Sequence, residues 1–382
     1  MSFVTALECS RCPATFSPES PHRLCSKCQS PLLVRYALDR VAAIPVRERL
    51  AKRPPTLWRY RELLPVVAPE KIVSLGEGMT PLLKLRIRRK EGAVSELWLK
   101  EESGNPTGSF KARGLSVAVT MAASFGLRRL CVPSAGNAGG ALAAYAARGG
   151  LESYIFIPKD APEANIVECR LAGTYVEAVD GSIADASRVM AQRGAGRDWF
   201  DVSTLMEPYR IEGKKTLGYE IAEQLGWRLP DVILYPTGGG TGLIGMWKAF
   251  QEMESMGWVG KRLPKMVAVQ SEGCAPIVEA FDRGSRHASP WSDPRTLAAG
   301  IRVPRPLGDF LILRALRQSG GTAVAVSEES IEDAIVEVAE KEGLLMCPEG
   351  AACWAAFREL LQTGWIQPDA VVVLFNTAAG HK

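Results

Sequence analysis

The sequence predicts an α/β protein with parallel, doubly wound sheets and a small metal-binding segment at its N-terminus. Two observations predict this. From about residue 72 onward, short apolar runs alternate with amphipathic helical stretches, and two Cys-x2-Cys pairs fall within the first 28 residues. Strands of a parallel sheet are covered on both faces, so they read as continuous apolar runs rather than as strict alternation. ELWLK (96–100), LRRLCVPS (127–134), ESYIFIPKD, GTYVEAVDG, DVILYPTGG, KMVAVQSEG, GTAVAVSEE and AVVVLFNTAAG all have this character and end in turn residues. Helical patterns separate them at 112–126, 138–148, 183–193, 214–225, 328–342 and 350–362. Alternation of this kind implies active-site loops at the strand C-termini.

The N-terminal segment, residues 1 to about 45, is too short and too rich in Ser, Pro and Arg to build a hydrophobic core. Cys9-x2-Cys12 and Cys25-x2-Cys28 place four thiols on paired tight turns, 12 residues apart. That spacing suits tetrahedral zinc, whose binding energy would fold the segment. Four thiolates leave no open coordination position, so the role expected is structural. Two disulfides are the alternative, and a reducing cytoplasm argues against them. The other five cysteines are scattered, as are His22, His287 and His381, none of which has metal-ligand spacing.

A chain of 382 residues with 47% hydrophobic and 23% charged residues is ordinary for a globular enzyme of two or three domains. The net charge of +4 is spread over 46 basic and 42 acidic residues, which favours neither nucleic acid nor a membrane surface. No run approaches the roughly 20 apolar residues of a membrane span, and the N-terminus lacks a secretion signal. A cytoplasmic protein acting on a small molecule is expected.

Four loops carry the chemistry. The first, Ser103 to Lys111 (SGNPTGSFK), follows a strand and opens a helix. A first-turn lysine opposes the helix dipole, whereas a nucleophilic amine gains from a nearby positive end and partial burial; a solvated surface lysine is the alternative. The second, Pro133-Ser134-Ala135-Gly136-Asn137, precedes an alanine-rich helix, and its small residues suit a carboxylate or phosphate at the helix start, or simply a tight turn. The third, Pro236 to Gly245 (PTGGGTGLIG), has three consecutive glycines and formally satisfies GxGxxG. The following strand ends at Gln270 rather than at an acid able to hold a ribose, so a phosphate cradle fits better than a dinucleotide site. The fourth places Thr377 at the end of the last strand, where it could equally be a turn residue. Glu349, in CPEGAA, reads as a helix-start acid rather than as a catalyst.

Taken together, these loops resemble those of the tryptophan-synthase-β, or fold-type II, pyridoxal-phosphate enzymes, and among them the threonine synthases, over roughly residues 72–382. The resemblance implies two parallel-sheet subdomains with the cofactor between them, a smaller mobile one at roughly 115–215 inserted in the larger within a catalytic region 46–382, and a homodimer. It implies that Lys111, in NPTGSFK, carries the cofactor covalently. It also implies that Ser134, Ala135, Gly136 and Asn137 hold the substrate carboxylate, with Asn137 reaching the cofactor ring. Gly238, Gly239, Gly240, Thr241 and Gly242 would then grip the cofactor phosphate, and Thr377 the pyridine nitrogen. The segment 208–216, PYRIEGKKT, resembles a substrate-phosphate strip, with Arg210 its best candidate. Leu205 stands where some members carry a serine, and Gly242 where many carry an asparagine. The activity implied is a lyase of threonine biosynthesis that converts O-phosphohomoserine and water to threonine and phosphate. A threonine or serine dehydratase is the alternative, followed by β-replacement on O-phosphoserine in the manner of cysteate synthase.

Overall fold

The computed structural model describes residues 3–66, 68–86, 94–134, 136–161 and 163–381. Along the chain, strands β1 (Val4–Cys9), β2 (Thr15–Phe16) and β3 (Leu32–Tyr36) precede helices α1 (Leu38–Ala42) and α2 (Val46–Leu50). Then come β4 (Leu82–Lys84), β5 (Glu96–Glu101), α3 (Lys111–Ser124), β6 (Arg129–Pro133), α4 (Asn137–Arg148), β7 (Glu152–Pro158), α5 (Glu163–Leu171), β8 (Tyr175–Val179), α6 (Ile183–Gly194) and β9 (Trp199–Asp201). The remainder is α7 (Tyr209–Gln224), β10 (Val232–Pro236), α8 (Thr241–Ser255), β11 (Lys265–Ser271), α9 (Pro276–Asp282), α10 (Asp309–Gln318), β12 (Thr322–Val326), α11 (Glu328–Glu342), α12 (Pro348–Gln362) and β13 (Val371–Asn376). No helix among the described residues is long and apolar enough to cross a membrane.

The chain divides into two compact units, the first running up to Met79 and resuming over Asn105–Thr216, the second comprising Thr80–Gly104 and the chain from Leu217 onward. Unit 1 contains a parallel sheet in the order β8-β7-β6-β9 and an antiparallel sheet in the order β2-β1-β3. Strand β8 is the edge of its sheet and is only partly covered, which is why its sequence mixes Tyr, Glu and Ala among the valines. Unit 2 contains a six-stranded sheet in the order β12-β11-β10-β13-β5-β4. All its neighbours run parallel except β4, which pairs antiparallel with β5, so the sheet is mixed at one edge.

The N-terminal segment, expected to stand apart over residues 1–45, shares a core with the rest of unit 1. Leu7, Val34, Leu57, Val117, Ala118, Met121 and Tyr209 pack in one cluster, so the small sheet leans on α3. The physical reason is visible in β3, whose leucines and valine are buried despite the polar surroundings of the cysteines. A sheet this small has no core of its own and recovers apolar burial from a neighbour. Side chains reinforce the junction: the Tyr36 hydroxyl donates to Glu212 at 2.7 Å, and Arg23 pairs with Asp201 at 3.0 Å.

Helix α7 begins earlier than its sequence pattern suggests. The expected helix 214–225 starts at Tyr209, because Glu207 accepts the backbone N–H groups of Tyr209 (2.6 Å) and Arg210 (3.1 Å) and caps the first turn. Gly213 is thereby carried into the helix interior, where its missing side chain permits a close crossing with α3.

Candidate functional site

In unit 1 the NPTGSFK loop makes a short 3-10 turn, Pro106–Gly108, before α3. Thr107 and Gly108 are both left-handed, at φ 63° and 62°, a conformation costly for threonine. Asn105 pins the turn, its side-chain oxygen accepting the Gly78 N–H at 3.1 Å. Lys111 is the first residue of α3, half-buried, and its Nζ lies 4.0 Å from the centroid of the Phe110 ring.

Next to it in the same unit stands the SAGN loop. The buried Ser134 hydroxyl accepts the N–H groups of Gly139 at 2.8 Å and Gly136 at 3.2 Å, which ties it to its own loop. Ala135 lies outside the described residues. Gly136 precedes α4 without a side-chain cap, and Asn137 is the first helical residue. The Asn137 Oδ1 is buried and has no partner among the described residues. Asn165 of α5, which sequence reasoning missed, comes within 3.0 Å of the position a Cβ on Gly136 would take; it is 5% exposed. Only the structure could bring it there, since α5 carries no motif.

Arg210 is fully enclosed in unit 1, with 1% exposure. Its Nη1 donates to the Val202 carbonyl at 2.6 Å, while its Nε has no partner among the described residues. Burial lowers its proton affinity, and the carboxylates of Glu207 and Asp201 oppose that shift. Burial likewise pushes Glu207 up to about 7, against the pull of Arg210 and of the two backbone N–H groups it accepts.

The other two loops belong to unit 2. Strand β10 is buried throughout and delivers Thr237 to Gly240 into α8. Gly240 is left-handed at φ 71°, and a Cβ on Gly238 would stand 2.8 Å from Val303 and 3.0 Å from the Gly300 carbonyl, so both positions require glycine. Helix α8 begins with no side-chain cap and no acid in its first turn, and Ile244 N–H to Gly240 carbonyl is a 2.9 Å bond of its first turn. The amides of Thr241, Gly242 and Leu243 precede it, an arrangement chemically suited to a phosphate dianion. Gln270 does not serve a ligand: its Nε2 donates to Thr237 carbonyl at 2.9 Å and its Oε1 accepts Ile277 N–H at 2.8 Å. Thr377 follows β13, is 4% exposed, and has its hydroxyl 3.8 Å from the Cys347 sulfur. Glu349 accepts Gly300 N–H at 2.6 Å and thus serves as a backbone anchor.

The four N-terminal cysteines are free thiols whose sulfurs all lie within 4.8 Å of one another. Individual separations are 3.4 Å for Cys9–Cys28, 3.7 Å for Cys12–Cys25 and 3.6 Å for Cys12–Cys28. Tetrahedral Zn–S bonds of about 2.3 Å require sulfur separations of about 3.8 Å, so the set fits a tetrathiolate centre. The pair Cys9 and Cys28 is divided in acidity: burial raises the former and hydrogen bonding, first from Ser30, lowers the latter to about 6.

Parallel sheets with glycine-rich helix starts and a helix-opening lysine define a cofactor enzyme of the pyridoxal-phosphate class. Residues 73–378 match the family of pyridoxal-phosphate-dependent enzymes, and the chain belongs to it. Within that family it belongs with the threonine synthases. It is 36% identical to the threonine synthase of Methanocaldococcus jannaschii over 98% of this chain and 92% of that one. The Methanosarcina acetivorans threonine synthase is 35% identical over 98% and 91%. Among solved structures, a threonine deaminase from T.th. superposes with a TM-score of 0.66 at 24% identity, covering 79% of this chain and 93% of that one. Maize serine racemase superposes with a TM-score of 0.68 at 20% identity, covering 86% and 94%. These two likenesses concern the fold.

Proposed function

We propose that this chain converts O-phosphohomoserine and water to threonine and phosphate. The observation that carries the reading is the likeness to threonine synthases across 98% of the chain. Bound pyridoxal phosphate supplies an electron sink for the negative charge that develops on the substrate carbon skeleton. Lys111 carries the cofactor, and its Nζ, once released, takes the proton from the substrate Cα and returns protons later. Ser134, Ala135, Gly136 and Asn137 would hold the substrate carboxylate, and the amide of Asn137 would also turn to the cofactor ring. Gly238, Gly239, Gly240, Thr241 and Gly242 offer backbone N–H groups to the cofactor phosphate, and Thr377 a hydroxyl to the pyridine nitrogen. A hydroxyl, unlike a carboxylate, does not enforce a protonated nitrogen, which tempers delocalisation into the ring and favours elimination and replacement over transamination. Arg210 retains one donor, Nε, for the leaving phosphate. Cys9, Cys12, Cys25 and Cys28 hold one structural zinc ion, and the reading includes a cytoplasmic homodimer.

One observation favours a second reading. The buried Glu207 carboxyl beside Arg210 weakens a phosphate subsite, and a dehydratase acting on threonine or serine needs none. Phosphate release from O-phosphohomoserine and 2-oxobutanoate formation from threonine separate the two. The first is expected to dominate, and Lys111→Ala is expected to abolish both the Schiff-base absorbance and turnover. Oxoacid formation without phosphate release would overturn the synthase reading.

A further inference from the structure

Helices α4 and α5 meet through small residues. Asn165, Glu168 and Cys169 are spaced three and four apart on α5 and so share one face. Gly136, Gly139 and Gly140 lie opposite them and repeat that spacing at the start of α4. A Cβ on Gly140 would run into the Glu168 carboxylate, and one on Gly139 would stand 3.3 Å from the Cys169 Sγ. At the N-terminal end of this contact the Asn165 Nδ2 lies 3.0 Å from the place a Cβ on Gly136 would take. Glycine at 136 therefore lets an amide side chain reach the first turn of α4.

Asn165 is nine-tenths buried, and its Oδ1 has no hydrogen-bond partner among the described residues. Enclosing an amide with its hydrogen bonding unmet costs about 1 to 3 kcal/mol, so packing alone would favour an apolar side chain there. A structural buried asparagine in this protein looks different. Asn376 of unit 2 accepts the Cys347 N–H at 3.0 Å and donates to the Glu101 carboxylate at 2.9 Å. The first residue of α4, Asn137, likewise keeps a buried Oδ1 without a partner among the described residues. Two amide side chains from two helices thus converge on one helix start, whose free N–H groups and positive dipole end attract an anion. The charge of that anion is limited by the Glu168 carboxylate, which packs one turn away on the same face of α5. A monoanionic carboxylate suits such a neighbourhood better than a phosphate dianion does.

We propose that Asn165 is a substrate-binding residue, an amide donor that fixes the substrate carboxylate at the start of α4. This rests on the synthase reading above. The test uses holoenzyme carrying Asn165→Ala, Asn165→Leu or Asn165→Asp, with two separate probes: threonine, which keeps the carboxylate and lacks phosphate, and inorganic phosphate. Threonine affinity is read from the change it causes in the Schiff-base absorbance. The alanine and leucine variants are expected to weaken threonine binding about 10- to 100-fold, the worth of one hydrogen bond to a charged group, and to raise the KM for O-phosphohomoserine by the same factor. The inhibition constant of phosphate is expected to hold, and the unfolding temperature to hold or rise. Asn165→Asp is expected to weaken threonine further, because it sets like charges side by side. Unchanged threonine affinity in the folded variants would overturn the assignment, whether or not phosphate inhibition moves. So would a leucine variant that unfolds at a markedly lower temperature, since that outcome marks a structural amide. A wild type that binds threonine through Asn165 yet releases no phosphate from O-phosphohomoserine would leave this assignment standing and sink the synthase reading instead.

Discussion

The two units solve the same problem, holding reactive groups at strand ends, with different materials. In unit 2 the central strands are buried on both faces: Leu97, Leu99, Val232, Leu234, Val267, Val269, Val372 and Leu374 join one large apolar cluster, and the alternate residues Ile233, Met266, Ala268, Val373 and Phe375 are buried as well. Its functional loop is set by glycine φ values and backbone packing. Among the described residues of unit 1 the apolar side chains divide into smaller clusters, and the unit encloses the ionisable groups Glu77, Arg113, Glu207, Arg210, Glu212, Lys214 and Lys215, more than the Lys100, Glu102, Glu220, Lys248 and Glu252 of unit 2. Glu77 alone receives the Trp58 indole, the Ser116 hydroxyl and the Tyr145 hydroxyl. A unit held by paired polar groups and a small ribbon is specified by charge and metal, whereas one held by apolar layers is specified by volume. Changes in charge or metal content should therefore strike unit 1, and changes in volume should strike both, unequally.

The largest expected effect comes from the zinc ion proposed for the four cysteines. Structural zinc contributes on the order of 10 kcal/mol of apparent binding free energy in small cysteine sites. Cys25 is fully buried at the base of the ribbon. Cys25→Ser, or strong chelation, is expected to reduce bound zinc from one per chain to none and to release the amides of α3 to faster hydrogen exchange. Amides of β10 and β13 in unit 2 should keep their protection. Equal loss of protection in the two units would erase the distinction between them.

Glycine substitutions sharpen the same contrast at a smaller scale. A Cβ on Gly213 meets the backbone carbonyl of Arg113, which cannot move without parting two helices, whereas one on Gly218 meets most closely the Ala249 methyl, at 2.9 Å, a much smaller overlap. Gly213→Ala is expected to cost about 3 kcal/mol and Gly218→Ala about half that or less, measured by denaturant unfolding. A reversal of that order would show that the α3–α7 crossing is softer than its geometry implies.

Much of unit 2 was legible in the sequence because its strands are fully buried and read as unbroken apolar runs; the start of α8 after Gly240 announced itself through three glycines. The NPTGSFK and SAGN loops were legible as motifs. What escaped were features without a local signature. Strand β9 is three residues long, Asn165 reaches Gly136 only because α5 packs on α4, and β4 runs against its neighbours. Helix α7 was half visible: Glu207 followed by Pro208 is a helix-start signal, but an interior glycine at position 213 masks it. The departure of Lys214 from a surface role could not be read without the crossing that buries it.

The smallest expected effect, and the one that isolates charge from volume, concerns Glu207. Its carboxyl is raised from the ordinary value to about 7 chiefly by burial, with Asp201 adding to the rise and Arg210 and two backbone N–H groups opposing it. Between roughly pH 4.5 and 7 the folded protein therefore holds a proton that the unfolded chain has released. Stability contributed by the protonated acid is complete at low pH and is lost as pH rises through about 7. Glu207→Gln keeps the size and an acceptor oxygen for the N–H groups of Tyr209 and Arg210 but cannot ionise. The variant is expected to unfold like the wild type near pH 4.5 and to exceed it by about 1 to 3 kcal/mol at pH 8 in denaturant titrations. A difference between variant and wild type that is the same at both pH values would mean that Glu207 is ionised throughout and that its pairing with Arg210 outweighs its burial.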